Sequence, residues 1–163
     1  MQIIRDLSYE EREVTLASGR KSNFYFDGKQ TTLHARGGLL VGKAFWKEVQ
    51  AFGEDIDGVG GLTMGADPIA TATSIAAALD GEDAHAFIIR KEPKGHGTGQ
   101  WLEGRKNLPA GSRVVIVEDV TTTGGFVSFR VRASSLSLYT KWSPVRFASY
   151  WYISMYHIHV RRP

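Results

Sequence analysis

The hydrophobic and polar positions in the first third of the chain predict a hairpin followed by a helix. Two runs rich in β-forming residues, 13–16 and 23–27, flank a polar turn at 18–22, which is the pattern of paired strands. Across 35–52, apolar residues recur at helical spacing, so this segment is expected to form a helix with one buried face. The first dozen residues are polar and weakly periodic, and are compatible with a short helix.

The middle of the chain alternates predicted strands with predicted helices. Residues 58–61 form a short glycine-rich strand, and Pro68 suits the first turn of an apolar helix that runs to about Leu79. Residues 84–89 predict another strand, and the apolar run 113–117 is typical of a central strand buried on both faces. This alternation predicts an α/β fold with a doubly wound, mainly parallel sheet, which binds ligands at the carboxyl ends of its strands.

Composition narrows the class of protein. With 163 residues, 42% hydrophobic and 23% charged, the chain is expected to form one domain with a real core. No apolar stretch reaches the length of a membrane helix and the start lacks a signal-peptide pattern, so we expect no membrane partner and a cytoplasmic location. The absence of cysteine excludes disulfides, thiolate catalysis and Cys-based metal sites. Five scattered histidines argue against a His-only site, so any metal is expected to be held by oxygens.

Charge and aromatic residues divide the chain in two near Gly125. Residues 1–125 hold 14 Lys and Arg against all 17 Asp and Glu, whereas residues 126–163 hold six basic residues and no acid. The second stretch also contains none of the 18 glycines but half of the 18 aromatic residues, and its segment 126–132 alternates like a strand. The basic character of the chain therefore belongs to its last 38 residues.

The strongest chemical signal follows the predicted central strand. Glu118 and Asp119 end that strand, and ionised carboxylates accept hydrogen bonds from vicinal sugar hydroxyls. The loop that follows can cradle a phosphate of the same sugar with backbone N–H groups and hydroxyls. Its residues are Val120, Thr121, Thr122, Thr123, Gly124 and Gly125. The segment predicts a sugar-phosphate site, against the alternative of a strand end with an ordinary surface loop.

A second candidate site lies in the polar, glycine-rich segment 90–107, which predicts a long exposed loop. Cations and a histidine that can neutralise a departing polyphosphate cluster at its start. They are Arg90, Lys91, Lys94 and His96. A loop that closes only over bound substrate would also keep water from an activated sugar. A solvated charged loop without a binding role stays open as the alternative.

Residues 13–125 resemble the orotate phosphoribosyltransferases, type I phosphoribosyltransferases of pyrimidine biosynthesis. Four motifs occur in family order: TLASGRKSNFYFD, GGLTMGADPIA, IIRKEPKGHGT and VVIVEDVTTTGG. The resemblance implies the type I phosphoribosyltransferase fold with a small N-terminal β-hairpin hood. It further implies that residues 1–125 form this phosphoribosyltransferase domain and that the domain is incomplete. It also implies Mg-dependent transfer of ribose 5-phosphate from phosphoribosyl pyrophosphate to N1 of orotate, giving orotidine 5′-monophosphate and pyrophosphate.

The resemblance assigns roles to the candidate residues. Glu118 and Asp119 hold the ribose hydroxyls, and 120–125 surrounds the 5′-phosphate, with Thr122 also near orotate. Pyrophosphate is bound by Arg90, Lys91, Lys94 and His96. Of all these, Lys94, His96 and Asp119 are expected to be catalytic. Magnesium rides on the substrate with few or no direct protein ligands, and lid side chains that reach a neighbouring subunit's site imply a homodimer.

Two positions depart from the family pattern. Many members carry Lys where this chain has Ala17 and Gly65, so one substrate cation is expected to be missing, or the chain belongs to a variant branch that does without it. Tyr25 and Phe26 stand where aromatic residues approach the base, with ordinary hairpin packing as the alternative.

The composition break coincides with the last residue of the VVIVEDVTTTGG motif. The resemblance implies a helix directly afterwards and a later Asp-Arg element for the orotate carboxylate, and neither has a counterpart in 126–163. We therefore predict that this tail is a frameshifted sequence. The alternatives to an active enzyme are an inactive truncated or frameshifted fragment and a nucleic-acid-binding regulator of the same fold, although a nucleic-acid partner is not expected. Purine salvage is the rival choice of base.

Overall fold

The computed structural model describes most of the first 119 residues and two strands of the tail. The described ranges are 2–15, 19, 21–51, 53, 55–92 and 101–119, and the backbone of 136–147 and 151–160. The candidate site therefore has to be built from the residues before Val120.

One helix and two small sheets form the N-terminal part. Helix α1 (Gln2–Ser8) precedes strands β1 (Tyr9–Glu10), β2 (Val14–Thr15), β3 (Lys21–Ser22) and β4 (Tyr25–Phe26). Strand β2 pairs with β3, whereas β4 pairs with β1, both antiparallel. The predicted hairpin is thus wrong in its second arm: the strand that pairs with β2 is Lys21–Ser22, whereas Tyr25–Phe26 of the predicted arm pairs with Tyr9–Glu10. Strands of two residues show no periodicity from which a partner could be identified.

Three helices follow, and two of them cover the sheet. They are α2 (Gly28–Thr32), α3 (Ala35–Gln50) and α4 (Ala66–Leu79), which confirms the helices predicted over 35–52 and up to Leu79. Helices α3 and α4 pack closely because Gly42 lies against the backbone of Ala72, where a Cβ would overlap the carbonyl oxygen. No helix in the described part of the chain is long and apolar enough to cross a membrane.

A six-stranded mixed sheet forms the centre of the molecule. Its strands are β5 (Gly58–Leu62), β6 (His85–Ile89), β7 (Leu102–Glu103), β8 (Arg113–Ile116), β9 (Leu136–Phe147) and β10 (Trp151–Val160). They lie in the order β7-β6-β5-β8-β10-β9. The three central strands β6, β5 and β8 run parallel, and β7, β10 and β9 join antiparallel at the two sides. The predicted α/β fold with a parallel central sheet is confirmed.

The two faces of β8 divide the core into two clusters. Val115 and Val117 pack with α3 and α4, whereas Val114 and Ile116 lie in the cluster on the other face. All four side chains are fully buried. The central strand that 113–117 predicts is confirmed, and it carries the carboxylates at its end directly out of the core.

The end of the predicted loop 90–107 is ordered differently from the prediction. Leu102 is buried, and with Glu103 it forms β7 beside β6. Arg105–Asn107 makes one turn of 3-10 helix. The prediction of one long exposed loop over 90–107 is therefore wrong at its C-terminal end. A single buried leucine holds this end against β6, and one buried residue leaves no periodic pattern in the sequence.

The tail adds two antiparallel strands that the sequence analysis does not predict. Strand β10 pairs with β8 through Ile158 and His159, and β9 pairs with β10. The strand-like segment 126–132 lies outside the described residues. The backbone of the tail thus occupies the sheet position next to the strand that leads into the candidate site.

Candidate functional site

Three chain segments meet at the carboxyl ends of the parallel strands. The turn Thr63 to Gly65 follows β5, Arg90 follows β6, and Glu118 follows β8. Hydrogen bonds continue the pairing of the strands up to these segments, since Thr63 N donates to Ile89 O of β6 at 2.9 Å and Val117 N donates to Gly60 O of β5 at 2.7 Å. Of the predicted site residues, the structure therefore brings Glu118, Asp119 and Arg90 to one edge of the sheet, the edge where parallel sheets bind ligands.

Among the described residues of the predicted site, Asp119 is the most enclosed charged one. It is 8% exposed, and its carboxylate lies so close to the backbone of Gly65 that a Cβ there would overlap it. On its other side Lys29 Nζ lies 3.8 Å from Oδ2. Glu118 is half-buried and its Oε1 accepts a hydrogen bond from the backbone N–H of Asp119 at 3.3 Å.

Lys29 and Asp27 form an ion pair beside this carboxylate, with Lys29 Nζ 2.8 Å from Asp27 Oδ1. Burial works against ionisation of Asp27, but hydrogen bonds from Lys29 and Gln30 outweigh it and hold the pKa of Asp27 below 3.8. The hydrogen bond to Asp27 raises the pKa of Lys29 above 10.5 against the opposing effect of burial, and the charges of Asp27 and Asp119 add to the rise. Both groups are therefore charged at neutral pH.

Arg90 anchors the base of the predicted lid. Its backbone N–H donates to Trp101 O at 2.8 Å, which closes the loop between them. Its Nη1 donates to Glu103 Oε1 at 2.6 Å, while its Nε is buried and has no hydrogen-bond partner among the described residues. Lys91 is exposed. One predicted pyrophosphate cation is thus paired with a carboxylate, and the other faces solvent.

Several predicted site residues lie outside the described part of the chain. They are Lys94, His96, Val120, Thr121, Thr122, Thr123, Gly124 and Gly125. Their assigned roles stay predictions.

Comparison with known proteins identifies the family, although no family model matches the chain. The orotate phosphoribosyltransferase of Nostoc sp. (strain PCC 7120) is 45% identical over 124 residues, which is 76% of this chain. The orotate phosphoribosyltransferase of Mycobacterium tuberculosis H37Rv, solved with Fe(III) dicitrate, superposes with a TM-score of 0.65 at 39% identity, over 82% of this chain and 74% of that one. This chain belongs to the orotate phosphoribosyltransferase family.

A second structure of the M. tuberculosis orotate phosphoribosyltransferase, in complex with 5-phospho-α-D-ribosyl 1-diphosphate, superposes with a TM-score of 0.59 at 36% identity, over 82% of this chain and 70% of that one. The chain spans only 58% of the length of the Nostoc orotate phosphoribosyltransferase.

Gly65, one of the two departures from the family pattern, has a physical reason in this chain. The carboxylate of Asp119 occupies the space where any side chain at Gly65 would begin. The other departure, Ala17, lies outside the described residues. Lys29 is the basic side chain that the structure brings next to Asp119.

Four polar side chains of this edge were not among the predicted site residues: Asp27, Lys29, Thr63 and Asp67. Asp27 accepts the backbone N–H of Lys29 at 3.1 Å as the N-cap of α2, and the Asp-Gly-Lys sequence after a β-run is a signal that could have predicted this cap. Thr63 Oγ1 donates to Asp67 Oδ2 at 2.8 Å, while Asp67 Oδ1 is buried without a partner among the described residues. These two residues are only four positions apart and both stand in the GGLTMGADPIA motif, so that motif is the signal that could have identified them.

Two aromatic residues were expected near the base. Phe26 packs against the core cluster under α3 and α4, so core packing accounts for its position. Tyr25 is 37% exposed, and the guanidinium of Arg12 lies 4.3 Å from its ring centroid. Of these two rings, Tyr25 is the more exposed.

Proposed function

We propose that this chain is an orotate phosphoribosyltransferase, which transfers ribose 5-phosphate from phosphoribosyl pyrophosphate to orotate. The observation that carries the proposal is the pair Glu118 and Asp119 at the carboxyl end of β8, in a chain 45% identical to a relative of that name. The M. tuberculosis relative solved with 5-phospho-α-D-ribosyl 1-diphosphate supports that sugar phosphate as the donor.

The proposed reaction forms the bond from ribose C1′ to orotate N1 while the bond from C1′ to the pyrophosphate oxygen breaks. Positive charge develops on the ribose and negative charge on the leaving pyrophosphate. Glu118 and Asp119 accept hydrogen bonds from the ribose hydroxyls and fix the sugar, and Arg90 neutralises the pyrophosphate. Orotate reacts as a preformed anion, so catalysis consists of positioning and electrostatic stabilisation.

Magnesium is part of the proposal as an ion that enters on the substrate. Among the described residues no group of three or more His, Cys, Asp or Glu side chains lies close enough to hold a metal ion. The carboxylate of Asp119 offers hard oxygen donors of the kind that Mg²⁺ accepts beside its own waters and phosphate oxygens. When bound, the ion neutralises charge on the pyrophosphate.

A homodimer is the proposed assembly, with lid residues shared between subunits. Large apolar side chains of α3, α4 and the neighbouring turns are exposed, among them Leu33, Leu39, Met64, Ile75 and Leu79. Several of them line a groove of about 590 Å³, and contiguous apolar surface of this kind favours a protein partner. Sedimentation equilibrium should give twice the mass of 18.0 kDa, and Ile75→Glu should shift it towards the monomer.

The proposed location is the cytoplasm, where both substrates would be consumed. Phosphoribosyl pyrophosphate carries several negative charges, and moving such charges through a bilayer is costly, so the enzyme is expected on the side where the donor is made. Fractionation of source cells with an antibody against 1–119 tests this location.

The experiment that tests the proposed function follows the loss of the ultraviolet absorbance of orotate. Purified protein is mixed with phosphoribosyl pyrophosphate, magnesium and orotate, and Asp119→Asn serves as the control. Turnover that disappears in the variant supports the proposal. A folded wild-type chain that neither turns over nor binds phosphoribosyl pyrophosphate would contradict it.

The tail gives a second candidate, an inactive relative of the same fold. We propose that 126–163 is a frameshifted sequence, because these 38 residues contain no acid and no glycine and half of the aromatic residues of the chain. Sequencing the source DNA tests this. An intact reading frame for this tail, together with a matching mass of the native protein, would overturn it.

A further inference from the structure

Lys29 lies between two carboxylates at the edge of the candidate site. Its ammonium is 2.8 Å from Asp27 Oδ1 and 3.8 Å from Asp119 Oδ2. The first distance is that of a hydrogen bond and the second that of a longer charge contact. The Lys29 side chain is 39% exposed, against 16% for Asp27 and 11% for Asp119, so the lysine is more accessible to solvent than either carboxylate.

Asp119 is confined from two sides. Its carboxylate lies against the backbone of Gly65, which leaves no room there for a Cβ. Within the described residues, Lys29 is the one basic side chain within 4 Å of its oxygens. A rotation of the carboxylate away from its present position therefore either meets the backbone of Gly65 or leaves the cation.

Lys29 is held in turn by Asp27. Asp27 Oδ1 accepts both the side chain of Lys29 and its backbone N–H at 3.1 Å, which caps α2. Asp27 is itself fixed, because Gln30 Nε2 donates to its Oδ2 at 3.2 Å and its backbone N–H donates to Ser8 O at 2.9 Å. A lysine anchored in this way loses less freedom on pairing than an ordinary surface lysine.

We propose that Lys29 is a positioning residue: anchored on Asp27, it holds the Asp119 carboxylate in the orientation that receives the ribose hydroxyls. The inference rests on the proposed function, because it takes the ribose as the group that Asp119 binds. It adds to that function a residue that acts through another and does not touch the leaving pyrophosphate.

Calorimetric binding of three ligands to the full chain tests this role. The ligands are phosphoribosyl pyrophosphate with magnesium, ribose 5-phosphate, and inorganic pyrophosphate. Lys29→Met is expected to weaken the two ribose ligands about tenfold and to leave pyrophosphate unchanged. Lys29→Arg should restore most of the affinity. Lys43→Met makes the same chemical change on an exposed position of α3 and should change none of the three.

A double-mutant comparison separates positioning from direct contact. If Lys29 acts through Asp119, Lys29→Met should weaken ribose 5-phosphate binding less than twofold in a chain that already carries Asp119→Asn. An equal loss in both backgrounds, or a loss of pyrophosphate affinity in Lys29→Met, overturns the inference. Thermal unfolding midpoints of Lys29→Met and Lys43→Met that agree show that the fold is intact.

The outcomes distinguish this inference from the proposed function. A wild-type chain that binds none of the ribose ligands overturns the proposed function and the inference with it. If the wild-type chain binds the ribose ligands and Lys29→Met binds them equally tightly, the inference is overturned and the proposed function stands.

Discussion

The two ends of the candidate site differ in how their charged groups are held. At the end of β8, Asp119 is 8% exposed and is confined between Gly65 and Lys29. At the end of β6, the Arg90 side chain is 39% exposed and is paired with Glu103. We infer that the proposed ribose end is in place before substrate arrives, whereas at the proposed pyrophosphate end Arg90 has to exchange Glu103 for the ligand on binding. Rigid positioning of this kind belongs where bond geometry matters most.

The largest effect is expected at the ribose end. Asp119→Asn removes the enclosed charge at the end of β8, and turnover of orotate should fall by about 100- to 1,000-fold because the sugar loses an acceptor in the transition state. Asp55→Asn is the matched control, since Asp55 is fully exposed and pairs only at the surface with Arg113. Equal activity of the two variants in the absorbance assay would rule out Asp119 as a site residue.

Two glycines test whether the confinement of Asp119 is specific to the site. Gly65→Ala places a Cβ on the Asp119 carboxylate and should weaken phosphoribosyl pyrophosphate binding about tenfold by displacing that side chain. Gly42→Ala places a Cβ on the backbone of Ala72, between α3 and α4.

For Gly42→Ala we expect a loss of about 1–3 kcal/mol in the free energy of unfolding, with ligand affinity unchanged. Calorimetric binding and urea unfolding of both variants provide the measurement. Gly65→Ala that binds like wild type would mean that the carboxylate has room to move.

The sequence predicts the end of β8, with Glu118 and Asp119, better than the end of β6, with Arg90. The apolar run 113–117 and the carboxylates after it follow from a local pattern, and the structure confirms the central strand. Lys29 could not be predicted as a neighbour of Asp119, because 90 residues separate them and only the sheet and α2 bring them together. Strand β7 is held in place by the one buried side chain of Leu102, and a single buried residue gives no periodic pattern from which the strand could be predicted. The pairing of β4 with β1 could not be predicted either, because strands of two residues are too short to show a pattern that identifies a partner.

A smaller effect is expected at the pyrophosphate end. Glu103→Gln removes the charge that holds Arg90 Nη1 at 2.6 Å. Arg90 should then need less free energy to leave this partner and contact a bound pyrophosphate. Because the pair is partly exposed, the affinity for inorganic pyrophosphate should rise by no more than about fivefold. Glu82→Gln, an exposed carboxylate beyond α4, is the control. A decrease in affinity would show that Glu103 supports Arg90 in the bound state as well.

The smallest effect concerns the anchor of the ribose end and depends on pH. The pKa of Asp27 lies below 3.8 in the folded chain, so its contribution to stability is fully present above that pH and is lost as the pH falls through the folded value. Asp27→Asn keeps an oxygen for the α2 cap but removes the charge that holds Lys29. With Lys29 39% exposed, the variant should lose at most about 1 kcal/mol of unfolding free energy at pH 6. Urea unfolding at pH 6 and below pH 3.8 should show this difference shrinking with acid. A difference that stays constant across that range would assign the loss to the cap and not to the ion pair.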